Sequence, residues 1–280
     1  MLIVVVLLLL PTTGCRDTTP PRRNDRAVAS LSPAATDLLV GMGLADRLVA
    51  VSNFDADEVA RGRPRVGDYQ NVDWEKLAEL RPAVMIMQGS PQRMPAGLSE
   101  RSAELGIRLV VLQIDRLDDI PRAITRLGEA LDERSAATAA VERFNDILAS
   151  ARQRASDRKP VRTLLALDET ARFVAGPGTF LDDVLQVAGG INVLESSSIG
   201  YPTIDRERLA TLAPDVVVQI LPGASETVLA QARATWSSVP GLPAVRDGRV
   251  YIITEPWAML PGYRQAELAT RLAELLHPRP

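Results

Sequence analysis

Residues 133–155 read ERSAATAAVERFNDILASARQRA. Apolar residues recur at Ala137, Val141, Phe144, Leu148 and Ala151, spaced four, three, four and three apart. That spacing marks one face of a helix. Glu142, Arg143, Asp146, Arg152 and Arg154 fall on the opposite face, and no Gly or Pro interrupts the run. At 1.5 Å per residue the helix would be about 33 Å long, the width of a small domain. A segment of about a hundred residues lies on each side of it. The predicted architecture is two doubly wound, Rossmann-like α/β lobes joined by this single strut, with a ligand cleft between them. The lobes take residues 26–131 and 158–280, and the connecting helix residues 132–157.

Working outward, the first lobe alternates strands and helices. Val28, Ala29, Ser30 and Leu31 form a short apolar strand. Ser32-Pro33 starts a helix, with Ser as cap and Pro in the first turn, and Gly41 stops it. Residues 48–51 read as a strand and 53–69 as mostly loop. Asp73 caps a short helix over 74–80 that ends before Pro82. Residues 83–87 are an unbroken apolar strand, as expected when helices cover both faces. A helix over 95–105, a strand over 108–112 and a helix over 118–131 follow. The apolar face of that last helix is out of phase with the strut, so a break is expected at 132–135. Strands alternating with helices imply a parallel sheet.

The second lobe repeats the plan, with strands over 163–167, 215–220 and 249–253. Helices are expected over 180–188, closed by Gly189-Gly190, over 207–212 and over 264–276. The repeat shows in the sequence itself. WEKLAELRPAV at 74–84 matches RERLATLAPDV at 206–216 at six of eleven positions without a gap. Glu75 pairs with Glu207 and Pro82 with Pro214, each 132 residues apart. Two similar lobes make a cleft, the default place for a ligand.

Composition narrows the function. The 280 residues are 46% hydrophobic and carry a net charge of −3, without a basic stripe, which argues against nucleic acid. One Cys excludes an internal disulfide and any multi-Cys metal site. The single His277, in the C-terminal tail between Leu276 and Pro278, argues against a His-rich cage or a Ser-His-Asp triad. Residues 2–10 are nine consecutive aliphatics, too few to span a bilayer and suited to the apolar core of an export signal. Pro11-Thr12-Thr13-Gly14-Cys15 resembles a bacterial lipobox, in which the Cys is acylated. Position minus three is Thr12 rather than Leu, and no Lys or Arg precedes the run. The expectation is a signal peptide over 1–14, acylation at Cys15 and a polar tether over 15–25. The protein would then be exported and held at the membrane by its lipid, in the periplasm or on the cell surface.

These features together resemble the periplasmic substrate-binding proteins of the helical-backbone type, which serve ATP-driven importers. The resemblance covers residues 26–276, and its closest likeness is to the cobalamin (vitamin B12)-binding members. It is carried by VASLSPAATD at 28–37, LAELRP at 77–82, Val239-Pro240, and Gly248-Arg249-Val250-Tyr251. It implies that Glu75 and Glu207 meet arginines of a permease dimer. It also implies a cleft lined by Phe54, Tyr69, Tyr201 and Trp257, with Arg264 touching the ligand rim. A flat macrocycle has apolar faces and a polar rim, and aromatic rings cover such faces well. No resident cofactor or metal is expected, the bound molecule being cargo. Haem is the alternative cargo, with Tyr69 or Tyr201 as axial donor. A ferric siderophore is third, since anionic chelates call for an Arg cluster. An enzyme would have Asp168-Glu169 as its acid–base pair, but no phosphate-cradling Gly-rich motif follows a strand. A single stiff helix between lobes also implies only a small opening on ligand release.

Overall fold

The computed structural model describes residues 25–279 apart from positions 69, 91 and 93. Tyr69, Cys15, the signal segment and nearly all of the tether lie outside the described residues. In chain order the first lobe comprises β1 (Val28–Ser30), α1 (Pro33–Gly41), β2 (Leu48–Ala50), α2 (Trp74–Leu80), β3 (Val84–Gln88), α3 (Leu98–Glu104), β4 (Arg108–Leu112) and α4 (Asp119–Ala130). The strut is α5 (Arg134–Ala155). The second lobe comprises β5 (Val161–Ala166), β6 (Val174–Ala175), α6 (Phe180–Val187), β7 (Gly190–Asn192), α7 (Arg206–Leu212), β8 (Val216–Ile220), α8 (Glu226–Ser237), α9 (Pro243–Arg246), β9 (Val250–Ile253) and α10 (Gln265–Leu276).

The repeat extends to topology. The first sheet has the order β2-β1-β3-β4, all parallel. In the second, β7, β5, β8 and β9 are parallel in the matching order, and the short β6 pairs antiparallel with β5 on the same edge as β7. The helices α2 and α7 share their length, their cap residue and their ending. Asp73 caps the Lys76 N–H at 2.9 Å, and Asp205 caps the Arg208 N–H at 2.7 Å. Each helix ends in a left-handed residue, Arg81 at φ 46° and Ala213 at φ 44°. Both are L-residues in a conformation normally left to Gly, followed by Pro, which cannot continue a helix.

Strand alternation divides the interior into layers. Val28, Val84, Ile86, Val110 and Leu112 point toward the strut, as do Leu165, Val216, Val218 and Ile220 in the other lobe. These residues belong to one core that runs through α5 and joins the lobes. Met85, Met87 and Leu77 form a separate core on the far face of the first sheet, and Leu164, Val217 and Leu209 form one on the far face of the second. The helix α5 packs on α4 at one end and on α10 and α6 at the other. Its buried stripe is Ala137, Ala140, Phe144, Leu148 and Ala151. Val141, expected on that stripe, is only half-buried, and Ala140 takes its place. The break before the strut is a left-handed Asp132 at φ 55°, with Glu133 N–H donating back to Gly128 O at 2.7 Å.

Several boundaries differ from the sequence reading. The helix expected over 95–105 starts at Leu98, after a left-handed Gly97. Gly190 opens β7 rather than closing α6. Residues 226–237 and 243–246 form helices that the sequence reading leaves unassigned. His277 is no loose tail residue. It caps α10 and is buried, and burial pushes its imidazole below its ordinary range.

The lobes touch closely beside the strut. Tyr263 of lobe two packs on Phe144, with ring centroids 5.8 Å apart, and against Gly41 at the end of α1. Arg143 donates to Gly41 O at 3.0 Å. A methyl group at Gly41 would run into the Tyr263 ring. The backbone there is ordinary helix, where Ala is normally preferred by about 1 kcal/mol. Gly41→Ala is therefore expected to reverse that preference, costing about 1–3 kcal/mol through overpacking. Urea unfolding checks it, and an unchanged or raised midpoint would count against the contact.

Candidate functional site

In parallel α/β sheets, ligands bind outside the carboxyl ends of the strands. In this chain the two carboxyl edges face each other, because the loops that leave them meet. Arg264, in the loop between β9 and α10, reaches across to lobe one. Its backbone N–H donates to Asp37 Oδ2 at 3.0 Å, its Nε to Asp37 Oδ1, and its Nη2 to Asp57 Oδ2. Asp37 lies on α1 and is 2% exposed, and Asp57 follows β2. Burial pushes the Asp37 carboxyl above its ordinary range, against the pull of Arg264. Burial also disfavours the Arg264 charge, but Asp37 and Asp57 outweigh it and hold the guanidinium above its usual value. A methyl at Gly262 would strike Asp37, so only Gly lets the loop come this close.

A second clasp lies at the other end of the cleft. Arg116, after β4, donates its Nε to Asp183 Oδ2 at 2.7 Å, and Leu117 N–H donates to the same oxygen at 3.0 Å. Asp183 lies in the first turn of α6. The two clasps are counterparts under the repeat. In each, an Arg after the last strand of one lobe holds an Asp on the first helix of the other, helped by a neighbouring backbone N–H. The contacts are reciprocal, each lobe giving the other an Arg and accepting one in return.

Between the clasps the carboxyl-edge loops present aromatic rings. Phe54 follows β2 and is 67% exposed. Its loop is pinned by the buried Asp55, which accepts from Thr36 Oγ1 at 2.8 Å and Ser52 N–H at 3.1 Å. Arg65 also donates to Ser52 O and Asp55 O, at 2.6 and 2.7 Å. Tyr201, 41% exposed, stacks on Phe173 with centroids 5.9 Å apart and planes 24° from parallel. The Tyr201 loop is sewn to β6 by Gly176 N–H to Gly200 O at 2.6 Å and Val174 N–H to Pro202 O at 3.1 Å. Trp257, half-buried after β9, lies under the Arg264 guanidinium at 5.3 Å. The sequence reading missed Phe173 and the 60%-exposed Ile199, which widen the apolar rim of lobe two. Their signal was slight, because Phe173 adjoins a two-residue strand and reads as core.

Glu75 and Glu207 are exposed in the first turns of α2 and α7, with no ion pair among the described residues. Asp168 is occupied in shaping a turn, accepting from the Arg172 and Phe173 N–H groups at 2.8 and 3.1 Å. Its carboxylate is a loop staple, which weakens the acid–base reading of Asp168-Glu169.

Residues 28–256 match the family model described as periplasmic binding protein. The chain belongs to the periplasmic binding protein family. Among curated relatives, the vitamin B12-binding protein of Yersinia pseudotuberculosis serotype O:3 (strain YPIII) is 30% identical over 203 residues, 71% of each chain. The periplasmic vitamin B12 binding protein of Vibrio cholerae superposes with a TM-score of 0.70 at 25% identity, covering 91% of this chain and 98% of that one. A periplasmic haem-binding protein solved with two haems gives a TM-score of 0.73 at 25% identity, covering 89% and 98%. The periplasmic binding protein fold, two lobes on a single helix, is thus shared with binders of more than one flat macrocycle. Members of the family are binding proteins of importers rather than enzymes, and they work in the periplasm.

Proposed function

We propose that this periplasmic binding protein captures cobalamin or a related corrinoid between its lobes and hands it unchanged to the permease dimer of an ABC importer. The reading is supported by aromatic rings on loops that leave the strands, Phe54 in lobe one and Tyr201, stacked on Phe173, and Trp257 in lobe two. Rings in that position cover the apolar faces of a corrin, and stacking adds to the area they bury. Tyr69 belongs to the same set by its place in the sequence. Arg264 meets the ligand rim only through the part of its guanidinium that Asp37 and Asp57 leave free. Haem is the second reading, favoured by the haem-binding neighbour and by Tyr201 as axial donor. Among the described residues no group of three metal-ligating side chains stands ready for a bare ion.

Visible spectroscopy separates the candidates. The purified chain is mixed in turn with cyanocobalamin, haemin and a ferric siderophore, then passed through gel filtration. The corrin bands are expected to travel with the protein. Co-elution of haemin or the ferric chelate alone would transfer the assignment to that cargo.

Glu75 and Glu207 are the docking carboxylates of this proposal, one on each lobe. Exposed charges of this kind orient a partner and cost little to the fold. The double variant Glu75→Lys/Glu207→Lys is expected to abolish cobalamin uptake by cells while leaving ligand affinity unchanged. Normal uptake by that variant would remove the docking role. The anchor is Cys15, and Cys15→Ser is expected to release the protein from membranes into the soluble fraction.

A further inference from the structure

The proposed docking helices each border a hollow that the ligand cleft does not use. Both lie on the faces turned away from the strut, where α2 and α3 cover the first sheet and α7, α8 and α9 the second. In lobe one, a hollow of about 300 Å³ is walled by Val72, Trp74, Pro95, Ala96 and Leu98, with Gln70 and Arg101 on its polar side. In lobe two, a hollow of about 300 Å³ is walled by Arg206, Leu209, Ala210, Val239 and Leu242. Trp74 and Arg206 are counterparts in the 132-residue repeat, each immediately before its exposed glutamate. So each lobe offers the same pair of features, an unpaired carboxylate at a helix start and a mostly apolar recess at its side.

We infer that the two recesses are sockets of one docking surface, each receiving a protruding apolar side chain from one subunit of a two-fold membrane partner. The inference rests on the docking role proposed above and deepens it. The lobes repeat the same helix, carboxylate and recess, so a partner that fits both carries two copies of its own contact, as a dimer does. The carboxylates call for basic residues on that partner. Charges at a rim guide encounter and set register, whereas buried apolar anchors in pockets supply most of the binding energy. A carboxylate beside a recess supplies both, and the repeat provides the combination twice. The sockets are not identical. Trp74 gives the first an aromatic wall that the second lacks, while each carries one arginine, Arg101 or Arg206, so the two anchors sit in different surroundings although their donors are the same.

Photo-crosslinking tests this in the full-length protein, expressed in its own cells. p-Benzoylphenylalanine is placed at Ala96 or Ala210 inside the sockets, and in parallel at Glu79 or Thr211 on the outer faces of α2 and α7. The expected result is that both socket positions join to the same polypeptide, identified by mass spectrometry as the membrane subunit of an ABC importer. The yield should drop at least about tenfold in the Glu75→Lys/Glu207→Lys background, since charge and socket act on one complex. Crosslinks from Glu79 and Thr211 but not from the sockets would overturn the inference and leave the docking helices standing. Crosslinks to that subunit from neither set would remove the docking reading itself.

Discussion

Replacing Arg264 with alanine is expected to lower stability by about 3–5 kcal/mol at pH 7, the cost of leaving a buried charge without its partner. Asp37 is 2% exposed, and Arg264 supplies its charge partner and two of its hydrogen bonds. The alanine variant keeps only the backbone N–H. Asp37→Asn removes the charge together with its need for a partner, so it should cost less than Arg264→Ala. The pH dependence identifies the cause. The Asp37 carboxyl already lies above its ordinary 3.8, through burial, and loses a lowering influence when Arg264 goes. A carboxyl raised in the folded state contributes stability below its unfolded pKa and loses it as pH rises through the folded one. The deficit of Arg264→Ala should therefore be largest at neutral pH and shrink toward pH 4. Urea titrations at both pH values measure it, and a deficit independent of pH would mean that Asp37 is not the group left stranded.

The double variant Phe173→Ala/Tyr201→Ala is expected to weaken cyanocobalamin binding by about 30- to 100-fold, the loss typical of removing aromatic anchors from a binding surface. The rings are 39% and 41% exposed, so they contribute far less to the fold than to a ligand that covers them. Stability should change by no more than about 1 kcal/mol, in line with substitutions away from the core. The two variants thus separate the roles, with Arg264→Ala acting on the frame and the aromatic pair on the cargo. Fluorescence titration with cyanocobalamin reads the affinity. A dissociation constant within twofold of the parent would take Phe173 and Tyr201 out of the site.

The parts of this molecule legible in its sequence were the local ones. The strut announced itself by period, and the paired helices α2 and α7 by capping residue, closing proline and a repeat without gaps. Those signals lie within a few residues of one another and depend on backbone chemistry that any context preserves. The clasps were invisible for the opposite reason. Asp37 and Arg264 are 227 residues apart, and each reads locally as an ordinary polar residue, one on α1 and one just before α10. The strand β7 is three residues long, begins with Gly and exists through pairing with β5, so it carries no pattern of its own. The aromatics divide in the same way. Phe144 is buried in the shared core, whereas Phe54 is open to solvent, and only the surroundings in three dimensions tell the two apart. The family resemblance, not any local pattern, singled out Phe54, Tyr201 and Trp257, while Phe173, against a strand, passed as packing.

A common core along α5 joins the two lobes, and an ion pair at each clasp ties them together. The direct test is the distance between spin labels on Glu104 of α3 and Arg233 of α8, in a Cys15→Ser background, by pulsed electron resonance with and without cyanocobalamin. One narrow distribution is predicted, moving by no more than about 2 Å on binding, as in pre-organised complexes. A broad distribution in the free protein, or a displacement several times larger, would show lobes that swing independently and would contradict it.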